Sequence, residues 1–437
     1  MTPGGAMSSE EAGRGPASVR GVDGVNGDSH APILIDGREL RASKDWVKGT
    51  HRAMEPVRTL ERIRPHLPKA GITRLADITG LDTLGIPVVN AFRPGSDTLA
   101  VETGKGATLP AAATSAAMEA IERFVAEESD VADVRATLGD MRGRLPCPPE
   151  QFSQIKQSRL VDSRMMNWSR ASDLFTGDEV YLPEPLVMLG SGEKTLLGCP
   201  WAPTTNGLAS GNHVPEALCA ALYECIERDA VSCWSVAHAK GASRLVIDQS
   251  TITGEVIRGL LEQVHRADAV VSLLWCPTEP GIPTVEAHLW SNERGSGVYK
   301  GYGCHLDPEI AMVRAVTEAA QSRTIFVAGA RDDFLRGSFE SSRRSDVFTT
   351  QSVFTNARPV SVQEIPDQST GTFHGDVAVM LEGLAAAGFD RVYARELEMG
   401  REFEVAVVRV VTPELEPYRF PWIATTDRAL SFVPPTF

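Results

Sequence analysis

Three stretches of this 437-residue chain place acidic side chains at the spacing of neighbouring positions on a helix: Glu119 and Glu122 in "MEAIERF", Glu224 and Glu227 in "YECIERD", and Glu318 with Gln321 in "TEAAQSR". Residues at i and i+3 project from a helix together. At about 100° per residue, Ser115, Glu119, Glu122 and Arg123 fall within an arc of roughly 100°. Glu216, Glu224, Glu227 and Arg228 cover a similar arc, and Arg314, Glu318 and Gln321 share a face. Arg323 falls away from that face and reads as acting from the helix end. If the stripes converge, four or five carboxylates and one amide share a cavity. Like charges packed that closely repel in a low dielectric, so the arrangement persists only around cations. Hard oxygen ligands select Mg2+ or Mn2+ over zinc. Magnesium held by a few carboxylates keeps coordination sites for phosphate oxygens. Arg123, Arg228 and the glycine-flanked Lys105 supply the positive partners of a triphosphate. Glycine-rich turns before the helices are expected to leave backbone N–H groups free for the same anion. No Walker A sequence and no kinase H-R-D or D-F-G set is present, and "GYGCHL" lacks the third glycine of a dinucleotide fingerprint.

The elements that must position these residues repeat one device three times: a glycine-rich turn, an alanine-rich helix, and polar residues deep within that helix. The third is opened by Asp307 as cap and Pro308 in the first turn. "IPVVNAFRP", "DEVYLPEPLVML", "AVVSLLWCP", "PTVEAHLW" and "EFEVAVVRVVTP" read as strands, and the segment around Pro56 reads as a helix. Strands and helices mix without a clean β-α-β alternation, so the fold class is α+β, with mixed sheets layered against long helices. Residues 1–40, rich in Gly, Ser, Ala and Asp, read as a disordered tail, and residues 45–430 as a single catalytic domain.

Composition bounds the function. The net charge of −14 excludes nucleic acid as a general partner, because phosphate binding needs a basic face. No apolar run approaches the roughly 20 residues that span a bilayer, and the N-terminus lacks a secretion signal. Seven cysteines without a C-x-x-C disfavour a zinc site or a disulfide framework and point to a reducing cytoplasm. His213 and His305 follow glycine-rich turns and are candidates to reach substrate; Cys304 reads as a core residue, with a thiol carrier as the alternative. Arg52 in "GTHR" and Arg331 with Asp332 in "GARDD" are further candidates.

"SAAMEAIER", "GLASGNHVPEALCAALYECIERDA" and "TEAAQSR" together resemble the YcaO family. Its pattern falls on Ser115, Glu119, Glu122 and Arg123; on Asn212, Glu216, Glu224, Glu227 and Arg228; and on Glu318 and Gln321. The resemblance covers roughly residues 45 to 415. It implies a YcaO-like layered fold and ATP bound through Mg2+. It implies metal ligation by Glu119, Glu122, Glu224, Glu227 and Glu318. Nucleotide contacts are implied at Lys105, Ser115, Arg123, Asn212, Glu216, Arg228, Arg323 and Arg331. Glu119, Glu122, Glu224, Glu227 and Gln321 are implied as the catalytic set. The reaction implied is phosphorylation of a backbone amide oxygen in a ribosomally made precursor peptide. A nucleophile then adds to the activated carbon and phosphate leaves. A side-chain nucleophile gives an azoline, external sulfide gives a thioamide, and a backbone amine gives an amidine ring. The partners implied are a TfuA-like or ThiF-like protein and a second copy of the chain. The chain carries no segment resembling a fused ThiF domain. Its end, "SFVPPTF", departs from the Pro-x-Pro-x-Pro tail of azoline-forming members, which tilts the reading toward thioamide formation. An ATPase assisting ribosomal-protein modification and a non-catalytic leader-peptide scaffold remain as alternatives.

Overall fold

In the computed structural model the described residues are 30–190, 199–201, 203–291, 297–329, 354, 357–418 and 421–435. Among them the helices are α1 (Pro56–Ile63), α2 (Leu109–Glu128), α3 (Leu138–Met141), α4 (Val214–Ala239), α5 (Glu255–Arg266), α6 (Pro308–Ala328), α7 (Phe373–Ala386) and α8 (Asp427–Ser431). β1 (Ile33–Ile35) and β2 (Arg38–Leu40) form a hairpin. β3 (Arg74–Asp77), β4 (Val88–Phe92) and β5 (Val101–Lys105) form a three-stranded antiparallel sheet. A second sheet has the order β6 (Val134–Thr137), β7 (Met165–Asp173), β15 (Tyr393–Glu396), β16 (Ala406–Val411), β9 (Leu208–Gly211), with β8 (Glu179–Pro183) beside β7. The third runs β13 (Tyr299–Cys304), β12 (Thr284–Ser291), β11 (Ala269–Trp275), β10 (Leu245–Ile247), β14 (Arg358–Val360), and only its β10–β14 pair is parallel. The α+β expectation holds.

Four of the glycines read as turns, Gly104, Gly211, Gly301 and Gly303, are strand residues set by steric demand, whereas Gly106 follows β5 and Gly207 does lie in a turn. A Cβ on Gly104 of β5 would lie 2.1 Å from the Ala116 nitrogen of α2. One on Gly211 of β9 would lie 2.6 Å from the Ala217 nitrogen of α4, and one on Gly301 of β13 would lie 2.2 Å from the Ala319 nitrogen of α6. Each helix therefore crosses its own strand backbone to backbone, glycine against alanine, with no room for a methyl group. Each of these strands lies at the edge of its sheet and is laddered on one side only; in β13, Val285 pairs with Gly303 and Ala287 with Gly301. The helix starts are capped from within: Thr108 accepts from Ala111 N, His213 Nδ1 from Glu216 N, and Asp307 from Glu309 N and Ile310 N.

These three strand–helix units close on one another. α2 packs on β5 and also touches β9; α4 packs on β9 and touches β13; α6 packs on β13 and touches β5. A closed ring of three such contacts turns one face of each helix toward a shared centre. α4 is buried on nearly every side, Leu218, Leu222, Cys225 and Ile226 in one core cluster and Ala230, Cys233 and Trp234 in another.

The order of the chain begins before the expected boundary at residue 40. Residues 1–29 lie outside the described residues, but Ile33 and Ile35 of β1 are buried in the core. The turn between β1 and β2 is Asp36–Gly37, with φ of 50° and 70°. Asp-Gly with both residues left-handed is a tight-hairpin signal that a reading by composition passes over.

Candidate active site

The ring brings the predicted stripes together and divides them into two halves. In one half stand Glu119, Glu122 and Glu224. Ser210 Oγ of β9 donates to Glu122 Oε2 at 2.9 Å. Burial, followed by the nearby Glu119 and Glu224 carboxylates, pushes the Glu122 carboxyl well above its ordinary range. Burial likewise pushes Glu224 up to about 7, with Glu227 and Glu119 adding to the shift against the pull of Arg228. Arg123 leans on Glu102 at 3.0 Å and on Glu119 at 3.7 Å. Burial disfavours its charge, but Glu102, Glu119, Glu122 and Glu224 together hold the guanidinium charged. This half has more carboxylates than internal cations.

In the other half every carboxylate has a cation. Lys105 of β5 ion-pairs with Glu318 of α6. Burial opposes ionisation of Glu318, yet Lys105 and then Arg228 outweigh it and hold the carboxyl below its usual range. Glu227 accepts from Cys304 N at 3.1 Å and faces Arg228 at 3.3 Å and Arg314 at 3.8 Å. Gln321 Nε2 donates to the carbonyl of Thr103 on β5. A third group sits at the start of α4. Asn212 Nδ2 donates to Glu216 Oε2 at 2.9 Å, and Thr59 and Arg62 of α1 donate to Asn212 Oδ1 at 2.9 and 2.6 Å. Arg52 Nη1 stands 3.6 Å from Glu216.

Not every predicted residue joins the cluster. Arg323 pairs with Asp82 at 3.0 Å and donates to Ser291 Oγ at 2.5 Å, away from the carboxylates. Ser115 is a half-buried residue of α2. Arg331, with Asp332, lies outside the described residues. His213 serves as the α4 cap, and His305 is buried, stacked on Tyr223 at 4.6 Å with its Nδ1 accepting from Asp307 N. Cys304 is fully buried, and burial pushes its thiol up to about 12, which removes it as a thiol carrier. The other six cysteines are buried and free as well.

Sequence reasoning missed several contributors, among them Thr59 and Arg62 of α1, which hold Asn212. Glu102 and Ser210 sit on strands and belong to no repeated pattern. Arg409 is an arginine inside the apolar strand β16, and that oddity was the available signal. It donates to the carbonyls of Leu186 at 2.7 Å and Asn206 at 3.0 Å, and also to that of Thr204. Burial lowers its guanidinium to about 10. Thr204 and Asn206 line a cavity of about 500 Å3 that opens beside Glu224, Arg228 and Glu318.

A metal site fits this geometry on the structure's own terms. Burial and mutual repulsion push the Glu122 and Glu224 carboxyls above their ordinary range, and a divalent cation among them is the group that would relieve that repulsion. Such a centre, framed by three helices of an α+β fold, belongs to the class of sites that take divalent ions with a polyphosphate.

The comparisons sharpen that class. Residues 103–416 match the YcaO family, described as YcaO cyclodehydratase, ATP- and Mg2+-binding. An uncharacterized protein of Methanothermobacter thermautotrophicus is 35% identical over 377 residues, covering 84% of this chain and 95% of its own. An uncharacterized protein in the tfuA 3' region of Rhizobium leguminosarum bv. trifolii is 34% identical over 403 residues, covering 86% of this chain and 92% of its own. Among solved structures, a heterocyclase in complex with substrate and cofactor superposes with a TM-score of 0.74 at 21% identity, over 87% of this chain and 54% of that one. YcaO from Methanopyrus kandleri, bound with AMPPCP and Mg2+, superposes with a TM-score of 0.67 at 24% identity, over 86% of this chain and 95% of that one. The chain belongs to the YcaO family, whose members bind ATP and Mg2+. Among the described residues no helix is long and apolar enough to cross a membrane.

Proposed function

We propose that this protein activates a backbone amide oxygen of a ribosomally made peptide at the expense of ATP, and that sulfide is the nucleophile that completes the reaction, giving a thioamide. The observation that carries the first part is the cluster of Glu119, Glu122 and Glu224, in which carboxylates outnumber cations although Arg123 and Arg228 each stand 3.7 Å from one of them, beside the cation-rich cluster of Lys105, Arg228 and Arg314. Glu119, Glu122, Glu224, Glu227 and Glu318 are the residues that would hold Mg2+. Bound Mg2+-ATP supplies the phosphoryl group that turns an amide oxygen into a leaving group. Lys105 and Arg228 draw off negative charge as it gathers during transfer, a role in which prepositioned cations are most effective. Asn212 and Glu216, braced by Arg62 and Thr59, orient the far end of the nucleotide. Gln321, tied to the Thr103 carbonyl, keeps α6 registered on β5.

The thioamide part draws support from the relative in the tfuA 3' region. A TfuA-like protein is accordingly the partner expected to deliver sulfide. The azoline alternative draws support from the cyclodehydratase description of the family. Mass spectrometry separates the two. The purified protein is incubated with ATP, Mg2+, sulfide and the short peptides encoded beside its gene, with and without a neighbouring TfuA-like protein. Replacement of one oxygen by sulfur supports the thioamide reading. Loss of one water overturns it in favour of the azoline.

A further inference from the structure

The long central helix gives the site a direction. From Asn212, just before the α4 cap, the residues run along α4 as Glu216, Glu224, Glu227, Arg228. At about 1.5 Å per residue, Arg228 stands about 18 Å along the axis from Glu216. The cavity of about 500 Å3 is lined by Glu224, Arg228 and Glu318 but by neither Asn212 nor Glu216. It therefore opens on the side of the carboxylates opposite the Asn212 end. A nucleotide lying between Asn212 and the carboxylates leaves this cavity as the approach for the acceptor. Its volume is that of a site for a drug-sized ligand, here a few residues of peptide.

The walls suit such a segment. Tyr302 and Tyr418 flank Arg228, their ring centroids 5.9 and 5.3 Å from its guanidinium carbon. Tyr299 stacks edge-on against Phe326 at 5.7 Å. Between the tyrosines of β13 lies Lys300, whose side chain is 49% exposed. Its ammonium is tethered from behind. Glu286 Oε1 of β12 lies 2.6 Å from Lys300 Nζ and 2.8 Å from His288 Nε2. Burial opposes ionisation of Glu286, but His288 and Lys300 outweigh it and keep the carboxylate charged. An ammonium carries three donors, and Glu286 takes one. Nothing in the nucleotide reading uses this Lys–Glu–His group.

We propose that the cavity receives the acceptor peptide and that Lys300 selects it, favouring a segment that sets a carboxylate side chain beside the reacting amide. The inference rests on the nucleotide reading given above. It is tested on the full-length protein with Mg2+ and AMPPCP, using two blocked peptides as probes: acetyl-Gly-Ala-Cys-Gly-Asp-Gly amide and its counterpart with Lys in place of Asp. The parent is expected to bind the Asp peptide about three- to fivefold more tightly, the size of a partly exposed ion pair. Lys300→Arg keeps the preference, Lys300→Met abolishes it, and Lys300→Glu inverts it. Inversion is a readout that a purely structural role would not produce; because Lys300→Glu sets a second carboxylate beside the buried Glu286, Mg2+-dependent AMPPCP uptake by that variant is the check that it folds. No preference in the parent, no binding of either peptide, or an unchanged preference in Lys300→Glu overturns the proposal. Titration of AMPPCP in the same samples separates the two levels: if the parent takes up AMPPCP without regard to Mg2+, the nucleotide reading falls, whereas intact Mg2+-dependent uptake with a failed peptide result sinks only the role of Lys300.

Discussion

The two halves of the site use the same residue types and reach opposite electrostatic states. Around Glu122 the carboxylates outnumber the cations, and burial drives the protons on; Glu224 is pushed up to about 7. Around Glu318 the lysine and arginines outweigh burial, and the proton is driven off. The difference lies in what the neighbouring unit of the ring contributes. β5 brings Lys105 to Glu318, whereas β9 brings the neutral Ser210 to Glu122. One half is thus built to be completed from outside, and the other is complete but holds cations that a phosphate can borrow.

The sharpest way to break this comparison is to remove one carboxyl from each half. Glu122→Gln is expected to weaken Mg2+-dependent ATP binding on the order of 100-fold, the upper end of what perturbing a metal site costs. It should cost the metal-free protein little in melting temperature, because burial and the Glu119 and Glu224 carboxylates already disfavour the charge that the change removes. Glu318→Gln should do damage before any metal is added. It leaves Lys105 without its carboxylate, and the expected loss is about 1 to 3 kcal/mol, less than a fully buried pair costs because both side chains keep about a fifth of their surface in water. Calorimetric titration and thermal melts of both variants check the pair. Equal melting losses in the two variants would erase the distinction between the halves.

The comparison also has a pH axis. Cations bind the ionised carboxylates, so protons compete with Mg2+ as pH falls through about 7, the value at Glu224. Affinity for Mg2+ in the presence of ATP is expected to drop up to about tenfold per pH unit below that point and to level off above it. Stability of the metal-free protein should run the other way. A carboxyl whose folded pKa lies above its unfolded one makes the fold lose stability as pH rises from the ordinary carboxylate range toward 7. Added Mg2+ should flatten that slope. Melting curves at several pH values, with Mg2+ or a chelator, measure both effects.

How much of this was legible beforehand follows from which signals repeat. The stripes Glu119/Glu122, Glu224/Glu227 and Glu318/Gln321 could be read because helical spacing fixes which residues share a face. That Arg323 leaves the face followed from the same geometry, and it is found on Asp82. The strands β9 and β13 could not be read, because Gly211, Gly301 and Gly303 look like turn punctuation when the helix that crosses them is unknown. The Asp36–Gly37 hairpin is legible as an Asp-Gly turn between short apolar runs, a local signal that overall composition masks. Glu102, Ser210 and Arg409 each stand alone on a strand. Their roles arise from the closing of the ring, which places residues far apart in the chain within bonding distance, and no local pattern encodes that.

Ser210 offers the finest cut through the comparison. Its hydroxyl gives Glu122 a hydrogen bond, 2.9 Å long, that favours the ionised form against burial and two neighbouring carboxylates. Ser210→Ala removes that bond and keeps every charge. The proton on Glu122 is then held more firmly, and Mg2+ must displace it at greater cost. One hydrogen bond to a charged group is worth about 1 to 2 kcal/mol, but water entering the half-buried position recovers part of it. The expected loss in Mg2+-dependent ATP affinity is therefore about three- to fivefold at neutral pH, shrinking toward none as pH is raised and the proton is lost anyway. A loss that stays constant with pH would mean that Ser210 acts on the nucleotide itself rather than through the charge state of Glu122.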